Sequence, residues 1–198
     1  MIQDKENLCV DTLKSFEPDL VFFPHWNWFV EKEIFTQFKC IVFHAAPLPY
    51  GRGGSPIQNL ILRGHKVSPV CALKMSNELD SGPIYDKEEI SLEGSLCEIL
   101  KRLDNAVNLI MKRLIDHLPT PIKQTGEVKI FKRLGSNDNE ISFDTTFEKA
   151  YDAVRMLDHP SYPNAYLSLK NIFIEFSEVS RKNDDFFCRV RISKKSSV

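Results

Sequence analysis

His44 and Asp80 are the two side chains whose types and positions are best suited to acid–base chemistry. His44 follows the apolar run at 38–43, and Asp80 lies in the polar turn at 77–82, after another apolar run. An imidazole changes its charge near neutral pH, and a nearby carboxylate orients it and tunes its proton affinity. If both runs are parallel strands of one sheet, their carboxyl ends meet at one edge. The pattern therefore predicts a histidine–carboxylate pair in an active site.

The loop between His44 and Pro56 has an unusual composition. It carries three glycines and three prolines within the sequence HAAPLPYGRGGSP. Prolines restrict the backbone, whereas glycines adopt conformations closed to other residues and let a ligand approach the main chain. Since it follows a predicted buried strand and leads into a predicted helix, it is a candidate binding loop.

The elements that must position these residues alternate along the first 118 residues. Short apolar runs predict strands buried on both faces, and three/four spacing of apolar residues predicts amphipathic helices. Alternating units of this kind form a doubly wound, mainly parallel α/β sheet, whose ligands gather at the carboxyl ends of the strands. Strands are predicted at 19–23, 38–43 and 67–75, and helices around 11–16, 30–38, 56–63 and 95–118.

Pro119 and Pro121 mark a boundary, because two prolines so close together stop a helix and stiffen a connection. We therefore expect a catalytic domain at 1–118, followed by a linker and a small α+β subdomain at 119–198. The second part is predicted to be β-rich, with strands at 128–132, 141–143, 165–169, 172–177 and 186–192 and a helix at 146–157.

Composition excludes several classes of protein. Of the 198 residues, 42% are hydrophobic and 27% are charged, which is typical of a globular chain and not of a disordered one. The net charge of −1 leaves no global basic field that could attract a nucleic acid.

No apolar run approaches the roughly 20 residues of a membrane span, and the first residues lack a leader pattern, so we expect a cytoplasmic protein with no membrane contact. The five cysteines lack zinc-site spacing, and no metal is predicted.

Taken together, the two candidate site segments resemble the folate-dependent formyltransferases, the family of the glycinamide-ribonucleotide, methionyl-tRNA and sugar-nucleotide enzymes. That family carries Asn-x-His, a Leu-Pro loop, Arg-Gly, a helix opening with Pro-Ile, and later Leu-Asp-x-Gly. This sequence has His44, Leu48-Pro49, Arg52-Gly53, Pro56-Ile57 and Leu79-Asp80-Ser81-Gly82 in that order, and segment 153–166 is similar to the one that follows the family's catalytic domain. The resemblance implies a Rossmann-like formyltransferase fold, N-terminally short, with a small β-rich C-terminal appendage.

The resemblance also implies an activity, which is transfer of a formyl group from 10-formyltetrahydrofolate to an amine. In that mechanism His44 stabilises the developing oxyanion, and Asp80 orients the amine or helps to deprotonate it. Other residues take their roles from matching positions in the family. The folate pocket is assigned to Pro24, His25, Trp26, Trp28, Leu79 and Asp80, and the acceptor site to Tyr50, Arg52 and Gly53.

The sequence departs from the family pattern at two points. Val42 stands where the family has an asparagine that donates to the formyl oxygen. Losing one such donor typically costs about 10²–10³ in rate, and Asn27 is the candidate catalytic replacement, with His25 as the other. The lead-in before Leu20 is also shorter than in most members. Both departures keep open a truncated, catalytically impaired relative that binds folate or a partner chain.

The near-neutral charge and the compact appendage favour a small-molecule amine acceptor, an amino sugar carried by a nucleotide, over tRNA. Methionyl-tRNA formylation is the alternative. A basic face would favour that alternative, and its candidate residues are Lys129, Lys132, Arg133, Arg181, Lys182, Arg189 and Arg191. A homodimer is left open.

Overall fold

The computed structural model describes residue 2, residues 4–26 and residues 28–195. By its internal contacts the chain divides into two units, the first comprising 1–52, 69–89 and 105–130 and the second 53–68, 90–104 and 131–198. The domain boundary expected after residue 118 stays a prediction. Across the described ranges, no helix combines the length and the apolar character that a membrane span requires.

Helices and strands alternate through the first part of the chain, and strands dominate the last part. In chain order the elements are α1 (Val10–Phe16), β1 (Val21–Phe23), α2 (Lys32–Gln37), β2 (Cys40–His44), β3 (Tyr50–Gly53), α3 (Pro56–Leu62), β4 (Val67–Lys74), β5 (Ile84–Ser91), α4 (Leu96–Asp116), β6 (Lys129–Phe131), a 3-10 helix (Ser136–Asn139), α5 (Phe147–Arg155), β7 (Ala165–Ser168), β8 (Ile172–Lys182) and β9 (Asp185–Lys194).

A four-stranded sheet in the order β1-β2-β4-β5 carries the end of β2, where His44 lies. β1 pairs with β2 in parallel, as predicted for two strands joined by a helix, whereas β2 and β4 run antiparallel. An apolar pattern indicates burial on both faces but not strand direction, so the sequence could not distinguish these pairings. β3 and β6 form a separate two-stranded sheet.

One apolar cluster of the first unit joins the first two strands of the sheet to the first two helices. Its buried members are Leu13, Phe23, Val30, Ile34 and Cys40, which come from α1, β1, α2, β2 and the segment before α2. Burying a large aliphatic or aromatic side chain contributes about 1.5–3 kcal/mol, so this cluster fixes β1 and β2 against their helices.

The sequence explains where helices α3 and α4 begin. α3 opens with Pro56, whose fixed φ suits a first helical turn, and it is followed by Gly64 at a φ of +79°. α4 is preceded by a capping box, because the Ser95 main-chain N–H donates to Glu98 Oε2 at 2.8 Å. The predicted helices at 56–63 and 95–118 are confirmed within two residues at each end.

The second unit carries an antiparallel sheet in the order β7-β8-β9, which confirms three of the predicted C-terminal strands. The prediction of a strand at 141–143 is wrong. Within this segment only Ile141 donates a main-chain hydrogen bond to a neighbouring strand, to the Tyr166 carbonyl on β7, and Phe143 lies in a turn. β5 escaped prediction because its sequence, IYDKEEIS, is dominated by charged residues and lacks apolar alternation.

Candidate active site

His44 is the last residue of β2, a strand with a neighbour on each side, so the sheet fixes its main chain. Its side chain is only 8% exposed. Nδ1 lies 3.4 Å from Asp80 Oδ2, and Nε2 lies 2.7 Å from the main-chain carbonyl oxygen of Gly51. Both atoms that face the ring are acceptors, and a neutral imidazole can donate from only one nitrogen. Both ring nitrogens of His44 therefore face hydrogen-bond acceptors.

The turn that carries Asp80 is shaped by its own side chains and by one close approach. Asp80 has a φ of +51°, in the left-handed region that aspartate tolerates better than most residues. The hydroxyl groups of Ser76 and Ser81 each donate to the Glu78 carbonyl, at 3.1 and 3.0 Å. At Gly82 a Cβ would lie 1.7 Å from the Lys74 carbonyl oxygen, so the glycine of the Leu-Asp-x-Gly motif is required sterically.

Gln124 joins this turn to Arg52 and was missed by the sequence analysis. Its Nε2 donates to the carbonyl oxygens of Asp80 and Gly82, both at 2.8 Å. Its Oε1 accepts from Arg52 Nε at 3.1 Å and Nη2 at 2.8 Å. The sequence around Gln124 shows no motif or periodicity that marks it as part of a site, and only the folded chain brings it there.

The loop after β1 holds most residues assigned to the folate pocket, and they differ in environment. Pro24 and His25 are exposed, and His25 has a φ of +52°. Trp26 packs against the apolar cluster, with its ring centroid 5.7 Å from that of Phe23. Trp28 is 50% exposed and meets Trp26 edge to face. Asn27, the candidate replacement for the family asparagine, lies outside the described residues.

Three further observations concern how this loop and the Asp80 turn could hold a ligand. Among the described residues, the indole Nε1 of Trp26 has no hydrogen-bond partner although the atom is buried. Leu79, which precedes Asp80, is 71% exposed. Met75, just before the Asp80 turn, packs against the same apolar cluster as Trp26. Both loops therefore start from one cluster, and they offer a flat aromatic surface, an aliphatic side chain and an indole donor.

The residues assigned to the acceptor site lie in or beside β3. Tyr50 is half-buried, and its N–H donates to the Pro47 carbonyl. The Arg52 guanidinium donates to the side-chain oxygen of Gln124, and Gly53 has a φ of +101°. At Gly54 a Cβ would lie 2.4 Å from Arg133 Cα, so at this glycine the chain that comes close is the protein's own.

Val42 lies on the same face of β2 as His44, since alternate residues of a strand share a face. It pairs with Phe23 on β1 and Leu73 on β4, and it packs against the apolar cluster. The position of the family asparagine is therefore occupied by a side chain that cannot donate a hydrogen bond.

Neither cysteine near the sheet's centre has the character of a nucleophile. Cys40 and Cys71 are buried, and burial raises the pKa of Cys40 to about 12 and that of Cys71 to about 11. Both are therefore neutral thiols at physiological pH. No group of three or more histidine, cysteine or acidic side chains that could hold a metal ion occurs in the described part of the chain.

Known proteins match this chain over both of its parts. Residues 3–112 match a family model described as formyl transferase, and residues 136–193 match the methionyl-tRNA formyltransferase C-terminal domain. The methionyl-tRNA formyltransferase of Campylobacter lari is 33% identical over 148 residues, which cover 73% of this chain and 49% of that protein. The chain thus spans about half the length of that curated relative.

Solved structures agree with these matches. Methionyl-tRNA formyltransferase from Clostridium thermocellum superimposes with a TM-score of 0.92 and 40% identity, covering 98% of this chain and 86% of that one. A 4-N formyltransferase from Francisella tularensis has a TM-score of 0.62 and 23% identity over 85% of this chain and 72% of its own, a likeness of fold alone. The predicted α/β fold class is confirmed. The chain belongs to the formyl transferase family.

Proposed function

We propose that this chain transfers a formyl group from 10-formyltetrahydrofolate to the α-amino group of methionyl-tRNA. The observation that carries the proposal is its likeness, over nearly its whole length, to a methionyl-tRNA formyltransferase of known structure. The match of residues 136–193 to the C-terminal domain of such enzymes supports the same acceptor. The amino-sugar acceptor favoured by charge and size has weaker support, because a sugar N-formyltransferase from Shewanella is only 18% identical and resembles the chain in fold alone.

The proposed reaction forms one C–N bond and breaks another. The acceptor's amine attacks the formyl carbon, the formyl oxygen gains negative charge, and the bond from that carbon to N10 of the folate breaks. The amine loses one proton and N10 gains one, so the products are the formylamide and tetrahydrofolate. The protein's task is to stabilise the negative oxygen and to move that proton.

His44 and Asp80 are suited to these two tasks. The ring Nε2, which donates to the Gly51 carbonyl, would donate instead to the formyl oxygen as its charge develops. The Asp80 carboxylate, 3.4 Å from Nδ1, accepts from that nitrogen and holds the ring so that Nε2 is free to act as the donor to the oxyanion. Both side chains are almost fully buried, and low exposure strengthens such electrostatic interactions.

The folate would lie against the loop after β1 and the Asp80 turn. Trp28 supplies exposed aromatic surface, Leu79 supplies exposed aliphatic surface, and Trp26 Nε1 is a buried donor with no partner among the described residues. A pterin ring is flat and rich in hydrogen-bonding atoms, so these features fit it. Pro24 and His25 complete the proposed pocket.

The acceptor would approach from the β3 side, at Tyr50, Arg52 and Gly53. Among the candidates for a basic face, Arg181 and Arg191 pair with Glu148 and Glu175. Exposed pairs of this kind are worth roughly 0–1 kcal/mol, so tRNA phosphates could replace the glutamates at little cost. Binding of tRNA should therefore weaken steeply with salt.

A direct assay tests the acceptor. The purified chain is incubated with 10-formyltetrahydrofolate and either methionyl-tRNA or a nucleotide-linked amino sugar, with deacylated tRNA as the control. We expect N-formylmethionyl-tRNA and no formylated sugar. Formylation of the sugar alone would overturn the proposed acceptor.

Val42 favours a second candidate, a folate-binding protein with impaired turnover, because it removes a donor from the face of β2 that carries His44. Titration with 5-formyltetrahydrofolate separates the two functions. Saturable binding of this analogue, with no transfer from 10-formyltetrahydrofolate to either acceptor, would support the impaired relative. Binding of the analogue together with transfer from 10-formyltetrahydrofolate would support the enzyme.

A further inference from the structure

We propose that Gln124 is a positioning residue, which holds the Asp80 turn and Arg52 in register around His44. The inference rests on the proposed function, because it describes how the site of that reaction is kept in order. Gln124 lies between the segments that the two family models match, 3–112 and 136–193. A connecting segment thus supplies a group to the site.

The side-chain amide of Gln124 uses its full hydrogen-bonding capacity. An amide has two N–H donors and an oxygen with two lone pairs. Both donors reach main-chain carbonyls, of Asp80 and Gly82, and the oxygen accepts twice from Arg52. Carbonyl oxygens only accept and a guanidinium only donates, so the amide has one satisfactory orientation. Glutamate could not donate to the carbonyls, and lysine could not accept from Arg52.

These bonds close a ring of contacts around the imidazole. His44 faces the Asp80 carboxylate with Nδ1 and the Gly51 carbonyl with Nε2. The main-chain carbonyl of the same aspartate binds Gln124, and Arg52, the residue after Gly51, binds the other end of the same amide. Gln124 therefore connects Asp80, whose carboxylate faces the histidine ring, with Arg52, the neighbour in sequence of the glycine whose carbonyl faces it.

The main chain on both sides of Gln124 is itself fixed. Ile122 exchanges two hydrogen bonds with Ile84, each 2.8 Å long. On the other side the Lys129 N–H donates to the Pro49 carbonyl at 3.2 Å. Ile84 and Pro49 lie close in sequence to the Asp80 turn and to Arg52. The amide is therefore held from a backbone attached to both segments that it joins.

This arrangement gives Gln124 an influence on the chemistry without contact with a reacting atom. The Asp80 carboxylate is 3.4 Å from Nδ1, and movement of its turn would change that distance directly. A misplacement of about 1 Å in an active site can cost roughly 10²-fold in rate. Loss of the amide should therefore lower kcat more than it raises KM for the folate.

The kinetic test uses Gln124→Ala and Gln124→Glu, with Gln37→Ala and Gln37→Glu on the exposed end of α2 as matched controls. We expect kcat to fall ~10- to 100-fold in both Gln124 variants and to stay unchanged in the controls. In an Asp80→Asn background, Gln124→Ala should add less than about a further twofold loss, because both changes act through one carboxylate. Equal fold-losses in the two backgrounds would contradict the proposal.

A second measurement does not depend on activity. The ring ¹⁵N signals of His44 are recorded in the folded, unaltered chain, in both Gln124 variants, in Gln37→Ala and in Asp80→Asn. We expect the signals of the Gln124 variants to move towards those of Asp80→Asn, and those of Gln37→Ala to stay in place. If Gln124→Ala fails to fold, Gln124→Glu, which keeps an acceptor for Arg52, carries the comparison. Unchanged His44 signals in the folded variant overturn the positioning role, whereas absence of transfer by the unaltered chain overturns only the proposed function.

Discussion

His44 and Arg155 are two buried basic side chains that are held in similar ways, one in each unit of the chain. Each faces an aspartate: His44 Nδ1 lies 3.4 Å from Asp80, and Arg155 Nε lies 2.7 Å from Asp152. Each also meets main-chain carbonyl oxygens. Their side chains are 8% and 1% exposed. Burial of a basic side chain requires polar partners, and both sites supply them.

The difference lies in what the two basic side chains can do. Arg155 Nη1 donates to the carbonyls of Leu92 and Gly94, and its guanidinium lies 5.5 Å from the Tyr151 ring centre. A guanidinium does not lose its proton in a protein, so these bonds are permanent. An imidazole exchanges its proton near neutral pH. The same kind of environment therefore gives structural support at Arg155 and acid–base capacity at His44.

The largest effect is expected for His44→Asn. This change keeps a polar side chain of similar reach to Asp80 but removes the proton exchange, so kcat should fall roughly 10⁴-fold, the upper end for a general acid–base group. The free energy of unfolding should change by only about 1 kcal/mol, the net worth of one hydrogen bond. Single-turnover formyl transfer and urea unfolding measure the two quantities. Transfer within threefold of the unaltered chain would remove His44 from the mechanism.

The sequence predicted that His44 and Asp80 would meet, and their side chains do lie 3.4 Å apart, but the reason given for the meeting does not hold. That argument assumed parallel strands, whereas β2 and β4 are antiparallel and the last residue of β4, Lys74, pairs with Ile41 near the start of β2. The segment after β4 therefore brings Asp80 back to His44, and the sequence carried no signal for that return. Their catalytic roles stay predictions. The sequence did not predict that Arg155 is buried, since nothing in the neighbouring residues distinguishes a buried arginine from an exposed one.

Contacts between distant segments were beyond the reach of the sequence. Gln124 bonds to the Asp80 carbonyl across 44 positions of the chain, and no periodicity encodes such a contact. The glycine-rich loop was interpreted as room for a ligand, yet at Gly54 the space is taken by Arg133. A glycine signals a close approach but not the identity of the group that approaches.

Arg155→Met should have the opposite signature to His44→Asn. The apolar side chain leaves the Leu92 and Gly94 carbonyls and the Asp152 carboxylate without their cation, so the free energy of unfolding should fall by about 3 kcal/mol. The kcat of the folded fraction should not change. Urea unfolding followed in parallel with kcat measures this separation.

Arg189→Met is the matched control for Arg155→Met. Arg189 pairs with Glu178, but its side chain is 69% exposed. Its loss should cost less than about 1 kcal/mol. Equal destabilisation by the two substitutions would show that burial is not what makes Arg155 important.

The smallest effect concerns the segment that Arg155 holds through Gly94. The next residue, Ser95, caps α4 with Glu98: its N–H donates to Glu98 Oε2 at 2.8 Å, and its hydroxyl donates to the same oxygen at 3.1 Å. The main-chain hydrogen bond, followed by the hydroxyl, lowers the pKa of Glu98. Glu98→Gln keeps an acceptor for both donors but removes the charge from the first turn of the helix.

The lowered pKa fixes the sign of the pH dependence. A carboxylate with a depressed pKa in the folded chain stabilises it fully above the ordinary glutamate value, and that contribution disappears as the pH falls through the lowered value. Glu98→Gln should therefore cost about 0.3–0.5 kcal/mol at neutral pH, a figure limited by the exposure of Glu98, and nothing in acid. Urea unfolding of both chains between neutral and acidic pH measures the difference. A difference that grew towards acid would mean that the charge of Glu98 opposes the fold, and the capping box would then act through its hydrogen bonds alone.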